Sequence, residues 1–400
     1  MIAPQPPIDS RGFMVITSPP FEAKEVLDEI PSAPCPDCRL CGSRGEPLYG
    51  DLEDRLFGAP GVWRLNACPK EDCGLIWLNP APLPEHLGRA YKNYYTHGSA
   101  DGETESGLRA FYHGAVRSWL SRHYGYPPRA GDFGGETSRM MPLLGPLIGR
   151  RARAQVRYLP FVESGRLLDV GCGDGSWLVE MKGRGWNVEG VDFDPSAVAA
   201  ARGRGLTVHQ GSVEAQNYPA ESFDAIHLFH VIEHVTDPIG TVRECARLLR
   251  PGGRLVIFTP NTASVSHRLF KEDWRGLEPP RHLHLFSFAS MRRLFEDMPF
   301  ANMSIRPQVG ISVTVESWKL WRGRRSSPAI LDVIDPVMRS KWFRRMVPEF
   351  LQTLAGVFPA MGETMAVVAT MPGCDEILMR ARGTRSRMSS VEMAAGYEKS

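Results

Sequence analysis

In its middle part the chain has a regular hydrophobic pattern, in which short apolar runs are separated by amphipathic stretches. One of these stretches places Trp177, Leu178 and Met181 on the same face of a helix. The apolar runs predict strands over Arg166–Val170, Asn187–Val191, Leu206–His209, Phe223–Phe229 and Arg254–Thr259. Because strands that alternate with helices form parallel βαβ units, we predict an α/β fold with a Rossmann-like, doubly wound and mostly parallel sheet.

Beyond this region the pattern predicts a helix that contains Met291, Leu294 and Phe295, then a strand from Met303 to Ile311 and a last strand over Thr364–Thr370. A helical, basic insertion is expected between these two strands. The segments that we predict along the chain are a flexible tail (1–33), a small cysteine-rich module (34–80), a helical linker or lid with a loop near 131–137 (81–160), the α/β domain (161–373, with the insertion at about 318–358) and a loose C-terminal tail (374–400).

Composition and charge argue against several classes of protein. Lys and Arg total 47 against 45 for Asp and Glu, and the resulting charge of +2 gives no support for a nucleic-acid partner. The sequence contains no apolar run long enough to span a bilayer, and residues 1–20 are rich in proline without an apolar signal core. We therefore predict a cytoplasmic protein, in which clustered thiols among the eight cysteines more often bind metal than form disulfides.

The first predicted strand leads into a glycine loop at 169–175 with the sequence Asp-Val-Gly-Cys-Gly-Asp-Gly. A dinucleotide-binding fingerprint requires its third glycine at position 176, which is Ser176 here. The carboxylate of Asp169 would repel a pyrophosphate, but it suits the ammonium group of S-adenosylmethionine (SAM). Asp192, at the end of the second strand, can accept hydrogen bonds from the ribose hydroxyls of SAM or of NAD. The loop therefore favours SAM, and the alternative is a tight strand-to-helix turn without a ligand.

Residues from about 160 to 310 resemble the class I SAM-dependent methyltransferases, especially the broad group that includes the ubiquinone-pathway O-methyltransferases. The similarity lies in the stretches Leu168-Asp-Val-Gly-Cys-Gly-Asp-Gly175, Val191-Asp-Phe-Asp-Pro195, Phe223-Asp-Ala-Ile226, Val231-Ile-Glu-His234 and Leu249-Arg-Pro-Gly-Gly-Arg-Leu255. The resemblance implies that Asp169, Gly171 and Gly173 contact the methionyl end and that Asp192 contacts the ribose. Ser212 stands where the family usually has an acidic residue near the adenine. The cofactor-binding residues that we predict are Asp169, Gly171, Cys172, Gly173, Asp192, Phe193, Ser212, Val213 and Phe229.

The sequence His230-Val-Ile-Glu233-His234 follows the fourth predicted strand, where a methyl acceptor is expected. A histidine at this place could remove a proton from a hydroxyl as it attacks the methyl group. The similar ubiquinone-pathway enzymes have Glu-x-x-Glu-His here, which implies a divalent cation, and His282 and His284 could supply further ligands. We predict catalytic roles for His230, Glu233 and His234, as a base or as metal ligands. The alternative is that Glu233 and His234 only tether the loop.

Four cysteines form two knuckles, Cys38-x2-Cys41 and Cys68-x4-Cys73, and a glycine follows each knuckle. Four thiolates from two turns are the tetrahedral ligand set that a structural zinc ion prefers, so we predict a module that resembles a zinc ribbon. Cys35 could replace Cys38 or Cys41, because Cys35 and Cys38 also have the C-x2-C spacing. Unligated thiols are the alternative to a zinc site.

A zinc ribbon joined to such a domain resembles bacterial enzymes of glycan and secondary-metabolite tailoring. The resemblance implies methyl transfer to a small-molecule or sugar acceptor, at an oxygen in the first place, with carbon or nitrogen as the other acceptor atoms. In this interpretation Tyr91, Tyr94 and Tyr95 help to cover the acceptor pocket; otherwise they pack the linker helix.

Two functions of other kinds are also compatible with the sequence. A ribbon can bind RNA, as in some rRNA methyltransferases, but Asp51, Glu53 and Asp54 argue against an RNA-binding surface here. The second is an interaction protein that binds SAM without turnover. An acceptor mouth filled by bulky side chains would favour that second function.

The insertion near the C-terminus interleaves aromatic and basic residues, namely Trp318, Trp321, Arg322, Arg324, Arg325, Arg339, Lys341, Trp342, Arg344 and Arg345. Helices of this composition can lie on an anionic membrane surface, which predicts a peripheral membrane contact suited to a lipid-linked acceptor. The other interpretation is a solvated helical cap on the substrate pocket.

Overall fold

The computed structural model describes residues 29–92, 107–128, 141–309, 311–324 and 358–374. Most of the two predicted tails, Tyr94 and Tyr95, the loop near 131–137 and residues 325–357 of the basic insertion lie outside these ranges. None of the helices within the ranges combines the length and the apolar composition that crossing a membrane requires.

The N-terminal part is built from five short strands: β1 (Ser32–Ala33), β2 (Glu46–Leu52), β3 (Trp63–Ala67), β4 (Ile76–Leu78) and β5 (Ala81–Pro82). β1 pairs with β5, and Ile30 before it is buried, so residues 29–33 are part of the fold although we predicted them as tail. A 3-10 helix (Pro84–Tyr91) and two packed helices, α1 (Gly107–Tyr124) and α2 (Met141–Gln155), then lead to the α/β domain.

The α/β domain contains a seven-stranded sheet. The strands of this region are β6 (Arg166–Val170), β7 (Asn187–Asp192), β8 (Thr207–Gln210), β9 (Phe223–Phe229), β10 (Leu249–Pro260), β11 (His284–Leu285), β12 (Asn302–Gln308) and β13 (Thr364–Thr370). The helices are α3 (Ser176–Gly183), α4 (Pro195–Gly203), α5 (Pro238–Leu248), α6 (Val265–Phe270), α7 (Phe288–Phe295) and α8 (Ile311–Arg324). The order in the sheet is β12-β13-β10-β9-β6-β7-β8, and β13 runs antiparallel to both of its neighbours.

The mostly parallel sheet confirms the predicted fold class. Strands β6, β9 and β13 have the predicted bounds, because each is a buried apolar run between polar turns. The predicted start of α4 is also observed, since the Asp194 carboxylate accepts a hydrogen bond of 2.8 Å from the backbone N–H of Ser196. These elements place the carboxyl ends of β6, β7 and β9 side by side, where ligands bind in such sheets.

One predicted boundary is wrong, because the strand expected to reach Ile311 ends at Gln308 and helix α8 begins at Ile311. The β-branched residues at the start of α8 favour a strand by local propensity. However, Val313, Trp318 and Trp321 pack against an apolar cluster around Trp274, and this tertiary packing outweighs the local preference.

The cysteine-rich module and the α/β domain share a sheet. β11, from the α/β part of the chain, pairs with β4, and the small sheet has the order β11-β4-β3-β2. Trp77 of β4 is buried in the same apolar core as Leu168 of β6. Asp54, which we counted as a surface acid, is itself buried and forms an ion pair with Arg281, so its charge gives no information about an RNA-binding surface.

Candidate functional site

A cavity of about 1090 Å³ opens at the carboxyl ends of the parallel strands. All nine residues that we predicted to bind the cofactor line it, although they come from four separate loops: Asp169, Gly171, Cys172, Gly173, Asp192, Phe193, Ser212, Val213 and Phe229. The part of the cavity lined by these nine residues is called the cofactor half below. Their position at or just after the ends of predicted strands is the feature of the sequence from which they could be predicted.

The glycine loop is shaped for close approach of a ligand. Gly171 has a φ of +71°, and a Cβ there would lie 2.3 Å from Cγ2 of Val231, so a larger residue would displace the loop. The backbone N–H of Gly173 donates a 2.8 Å hydrogen bond to Oδ2 of Asp192, whose Oδ1 accepts a bond from Asp194. Burial raises the pKa of Asp192, although these backbone donors oppose the shift.

Asp169 is buried at the end of β6 and is held by His227. Nδ1 of His227 lies 2.7 Å from Oδ1 of Asp169, and because a carboxylate accepts, Nδ1 carries the proton. Nη1 of Arg157 lies 3.2 Å from Nδ1 and 3.4 Å from Nε2, and only Nε2 has a lone pair that can accept from it. Burial, together with the charge of Arg157, lowers the pKa of His227 to about 4, so this ring is neutral. One side of the Asp169 carboxylate is thereby oriented, and the residue still lines the cavity.

Arg157 is a residue of the site that sequence reasoning missed. Its guanidinium carbon lies 4.2 Å from the ring centre of Trp177 and 4.3 Å from that of Phe229, at the wall of the cofactor half. Among the described residues it has no carboxylate partner within ion-pair distance. Arg157 and Tyr158 both have positive φ angles, and this bend after α2 turns the arginine toward the cavity. The sequence has several arginines in this segment and offers no local signal that distinguishes Arg157.

The His230 and Glu233 side chains hold the loop after β9. Glu233 is fully buried, accepts a 2.9 Å bond from Nδ1 of His230 and a 3.0 Å bond from the Thr259 hydroxyl, and is not among the residues that line the cavity. Burial raises the pKa of Glu233, but the bond from His230 and the nearby His234 outweigh it and lower the pKa to about 2. This geometry supports the alternative in which Glu233 tethers the loop, and the catalytic role predicted for Glu233 stays a prediction.

His234 lines the cavity and has a defined tautomer. Its Nδ1 lies 3.0 Å from the carbonyl oxygen of Arg281 and 2.9 Å from the hydroxyl of Tyr91. Because a carbonyl oxygen can only accept, Nδ1 carries a proton, and in the neutral ring the lone pair lies on Nε2. A histidine held in this way can accept a proton through Nε2.

Three side chains could form the divalent-cation site that we considered for this region. Ligand atoms of Glu233, His234 and His282 lie within 4.8 Å of one another. His282 donates from Nδ1 to the carbonyl of Gly276 at 2.7 Å, and burial lowers its pKa to about 4, so its Nε2 also keeps a lone pair. His284, which we expected as a further ligand, is not part of this group, and its Nδ1 lies 3.2 Å from the carbonyl oxygen of Val235.

The remaining wall of the cavity, called the acceptor half below, is formed by residues far away in the sequence. They include Tyr91, Arg275, Glu278, Val313, Glu316 and Glu363. Glu363 accepts hydrogen bonds from the hydroxyls of Ser266 and Thr314, and burial raises its pKa. Sequence reasoning had predicted only Tyr91 among these, as a possible cover of the acceptor pocket.

The four cysteines of the two knuckles meet with their sulfur atoms within 4.8 Å of one another. Sγ of Cys38 lies 3.6 Å from that of Cys73, and Sγ of Cys41 lies 3.5 Å from that of Cys68. Tetrahedral zinc with Zn–S bonds of about 2.3 Å requires S···S separations of ~3.8 Å, which these distances approach. The hydrogen bond with Cys73 lowers the pKa of Cys38 to about 5, which favours a thiolate. Cys35 is not in the group.

The knuckles close as their glycines predict. Gly42 and Gly74 have φ angles of +71° and +58°, which glycine adopts without strain. The N–H of Gly42 donates to the carbonyl of Cys38 at 2.8 Å, and the N–H of Gly74 donates to the carbonyl of Lys70 at 2.9 Å. Each turn therefore aims two sulfur atoms at one point.

Comparison with known proteins identifies the family of this chain. The family model of a methyltransferase domain matches residues 147–305. The ubiquinone biosynthesis O-methyltransferase of Cereibacter sphaeroides is 31% identical over 169 residues, which are 40% of this chain and 68% of that protein. The protein of the same name from Xanthomonas oryzae is 39% identical over 114 residues, which are 26% of this chain and 46% of that protein. This chain thus spans about half the length of several of the curated relatives that it matches. Among solved structures, a SAM-dependent methyltransferase from Archaeoglobus fulgidus aligns with a TM-score of 0.37 at 18% identity, over 59% of this chain and 100% of that one.

Proposed function

Because this chain belongs to the class I SAM-dependent methyltransferases, we propose that it transfers a methyl group from SAM to an oxygen of a small-molecule or sugar acceptor. One observation carries the proposal: the cofactor half, the acceptor half and His234 line a single cavity of about 1090 Å³. Such a volume is at the upper end of what small-molecule sites need, so it can hold a cofactor and an acceptor together.

The chemistry of the cofactor half fits SAM. The Asp169 carboxylate suits the ammonium group, and the Arg157 guanidinium, which lacks a described carboxylate partner, suits the carboxylate of the same methionyl part. Asp192 would accept from the ribose hydroxyls, and Phe193, which is half-exposed, offers an aromatic face to the adenine. When bound, SAM supplies a methyl group activated by a positively charged sulfur.

His234 is the residue that we assign to proton removal from the acceptor hydroxyl. Its Nε2 keeps a lone pair, and the bonds at Nδ1 fix the plane of the ring. Positioning of the two reactants in the cavity would supply much of the rate, and proton transfer would add to it. A cation held by His234 and His282 is the alternative, in which the same lone pair would bind metal.

The cysteine module supports a structural zinc ion at Cys38, Cys41, Cys68 and Cys73. Four protein ligands leave no open coordination position, so such an ion would stabilise the fold and take no part in the reaction.

The proposal is tested by incubating the purified protein with methyl-labelled SAM and an extract of the host cells. We expect the label in a small extractable product. A methyl ether should keep its label in base, whereas a methyl ester would release labelled methanol. Label recovered in RNA would instead support an RNA methyltransferase, and no labelled product in any fraction would support a SAM-binding protein without turnover.

Two substitutions in the cofactor half should change the affinities for two ligands, S-adenosylhomocysteine and methylthioadenosine, in different ways. Asp192→Ala should weaken binding of S-adenosylhomocysteine and of methylthioadenosine by about 10- to 100-fold each, because both carry the ribose. Arg157→Ala should weaken only S-adenosylhomocysteine by a similar factor, because methylthioadenosine has no amino-acid carboxylate. Calorimetry with both ligands measures this difference, and thermal unfolding without ligand controls for folding. Equal losses for both ligands with Arg157→Ala would contradict its proposed role.

A further inference from the structure

The ring of the proposed base is attached to the cysteine-rich module through one buried arginine. We propose that Arg281 and Asp54 are positioning residues for His234, so that the module sets the orientation of the base in the acceptor site. The inference rests on the proposed function for its catalytic consequence, but its structural part can be tested without an acceptor.

Arg281 supplies one partner of the His234 ring and bonds the residue next to the other partner. Its backbone carbonyl accepts from Nδ1 of His234 at 3.0 Å. Its Nη1 donates a 3.0 Å bond to the carbonyl of Ala90, the residue directly before Tyr91, whose hydroxyl is the second neighbour of the same Nδ1. A single residue therefore supplies one of the two partners of Nδ1 and fixes the backbone next to the other.

The Arg281 side chain is itself held by charges from two parts of the fold. It is fully buried, its Nη1 lies 2.8 Å from Oδ2 of Asp54, and its Nε lies 3.0 Å from Oε1 of Glu278. The guanidinium carbon also lies 4.7 Å from the ring centre of Phe57. A buried guanidinium with this many fixed partners has little freedom to move, because leaving any of them would strand a charge in the interior.

Asp54 transmits the position of the module to Arg281. Its Oδ1 accepts from the backbone N–H groups of Leu56 and Phe57 at 3.1 Å each, and its Oδ2 accepts from Ala59 at 2.8 Å. The carboxylate is thus locked into the loop that follows β2. Strand β2 belongs to the small sheet whose strands β3 and β4 flank the second cysteine knuckle. A shift of this loop would move Arg281 and, through it, the proposed base.

A second ion pair between the module and the domain provides a matched control. Arg55 donates to Asp273 at 2.6 Å, next to the Asp54 loop, but Asp273 does not line the cavity and makes no bond to His234 that the structure describes. If the two ion pairs served only to dock the module on the α/β domain, loss of either pair would have the same effect on the His234 ring. If Arg281 positions His234, only loss of the Asp54 pair should alter the ring.

The experiment compares Asp54→Asn with Asp273→Asn in the full chain. Nitrogen NMR of the labelled histidine side chains reports the tautomer of His234, whose signals are assigned with His234→Gln. We expect the Nδ1-protonated form alone in the unchanged protein and in Asp273→Asn, and a mixture of tautomers in Asp54→Asn. With the acceptor found by labelled SAM, kcat of Asp54→Asn should fall by between about tenfold and 100-fold while KM for SAM stays constant.

An unchanged tautomer and kcat in Asp54→Asn, or equal effects of the two variants, would overturn the inference. If Asp54→Asn does not fold, Arg281→Lys replaces it, because lysine keeps the charge and the backbone carbonyl but cannot reach Asp54, Glu278 and Ala90 together. Arg281→Lys should shift the tautomer equilibrium, and a spectrum identical to that of the unchanged protein would overturn the inference. Absence of methyl transfer by the unchanged protein would refute the proposed function, and the NMR result would still decide the role of Arg281.

Discussion

Cys68→Ser is expected to remove one zinc ion per chain and most of the net stability of the protein. Structural zinc contributes on the order of 10 kcal/mol in small metal-folded domains, and native domains have a net stability of only about 5–15 kcal/mol. The four sulfur atoms lie within 4.8 Å of one another, so loss of one thiolate leaves three that cannot complete a tetrahedron. Because the cysteines belong to the same apolar core as the central strands, we expect the destabilisation to reach the α/β domain.

The measurement is elemental analysis of zinc together with thermal unfolding monitored by circular dichroism. Cys374→Ser is the control, since Cys374 is exposed and outside the cluster. Cys35→Ser should also keep its zinc, which decides between Cys35 and the four knuckle cysteines. Absence of zinc from the unchanged protein purified without chelator would contradict the proposed site.

His234→Gln is expected to lower kcat by about 10²- to 10⁴-fold, the usual contribution of a positioned general base, while SAM binding changes little. Glutamine keeps a donor that can bond the Arg281 carbonyl, so the loop should stay in place, but it has no basic nitrogen. Turnover of labelled SAM and calorimetry with S-adenosylhomocysteine measure the two effects separately. Equal turnover of the variant would leave His234 with a structural role.

His282→Gln distinguishes a base from a metal ligand. If His234 acts as a base, His282→Gln should retain most of the turnover, since His282 bonds Gly276 and packs 4.7 Å from the His234 ring. If both residues bind a divalent cation, the two variants should lose activity to the same degree. In that case chelator should abolish turnover of the unchanged protein, and added divalent cation should restore it.

Local chemistry explains why much of the cofactor half could be predicted. The glycine loop, Asp169 and Asp192 lie at the ends of neighbouring strands, and parallel strands bring their carboxyl ends to one edge. The knuckles were predictable for a similar reason, because a C-x2-C or C-x4-C spacing followed by glycine encodes its own turn. The acceptor half was not predictable, since Arg275, Glu316 and Glu363 come from separate elements with no shared local pattern.

The boundary of helix α8 shows the limit of local preference. Its first residues favour a strand, yet their neighbours Val313 and Trp318 pack in an apolar cluster that the local sequence does not reveal. The shared sheet of the cysteine module is a second case, because the pairing partner of β4 is a two-residue strand more than 200 positions later.

The sequence by itself determined the main strands and helices of the α/β domain, the loop that favours SAM and the two cysteine knuckles, because each depends on residues within a few positions of one another. Only the tertiary structure decided that Glu233 is buried against His230 and Thr259, that Arg157 faces the cavity and that Nδ1 of His234 faces the carbonyl of Arg281. Asp54 and Arg281 are 227 positions apart, and contacts at such separation follow from how the whole chain packs. The tautomer of a histidine likewise depends on which distant group accepts its proton.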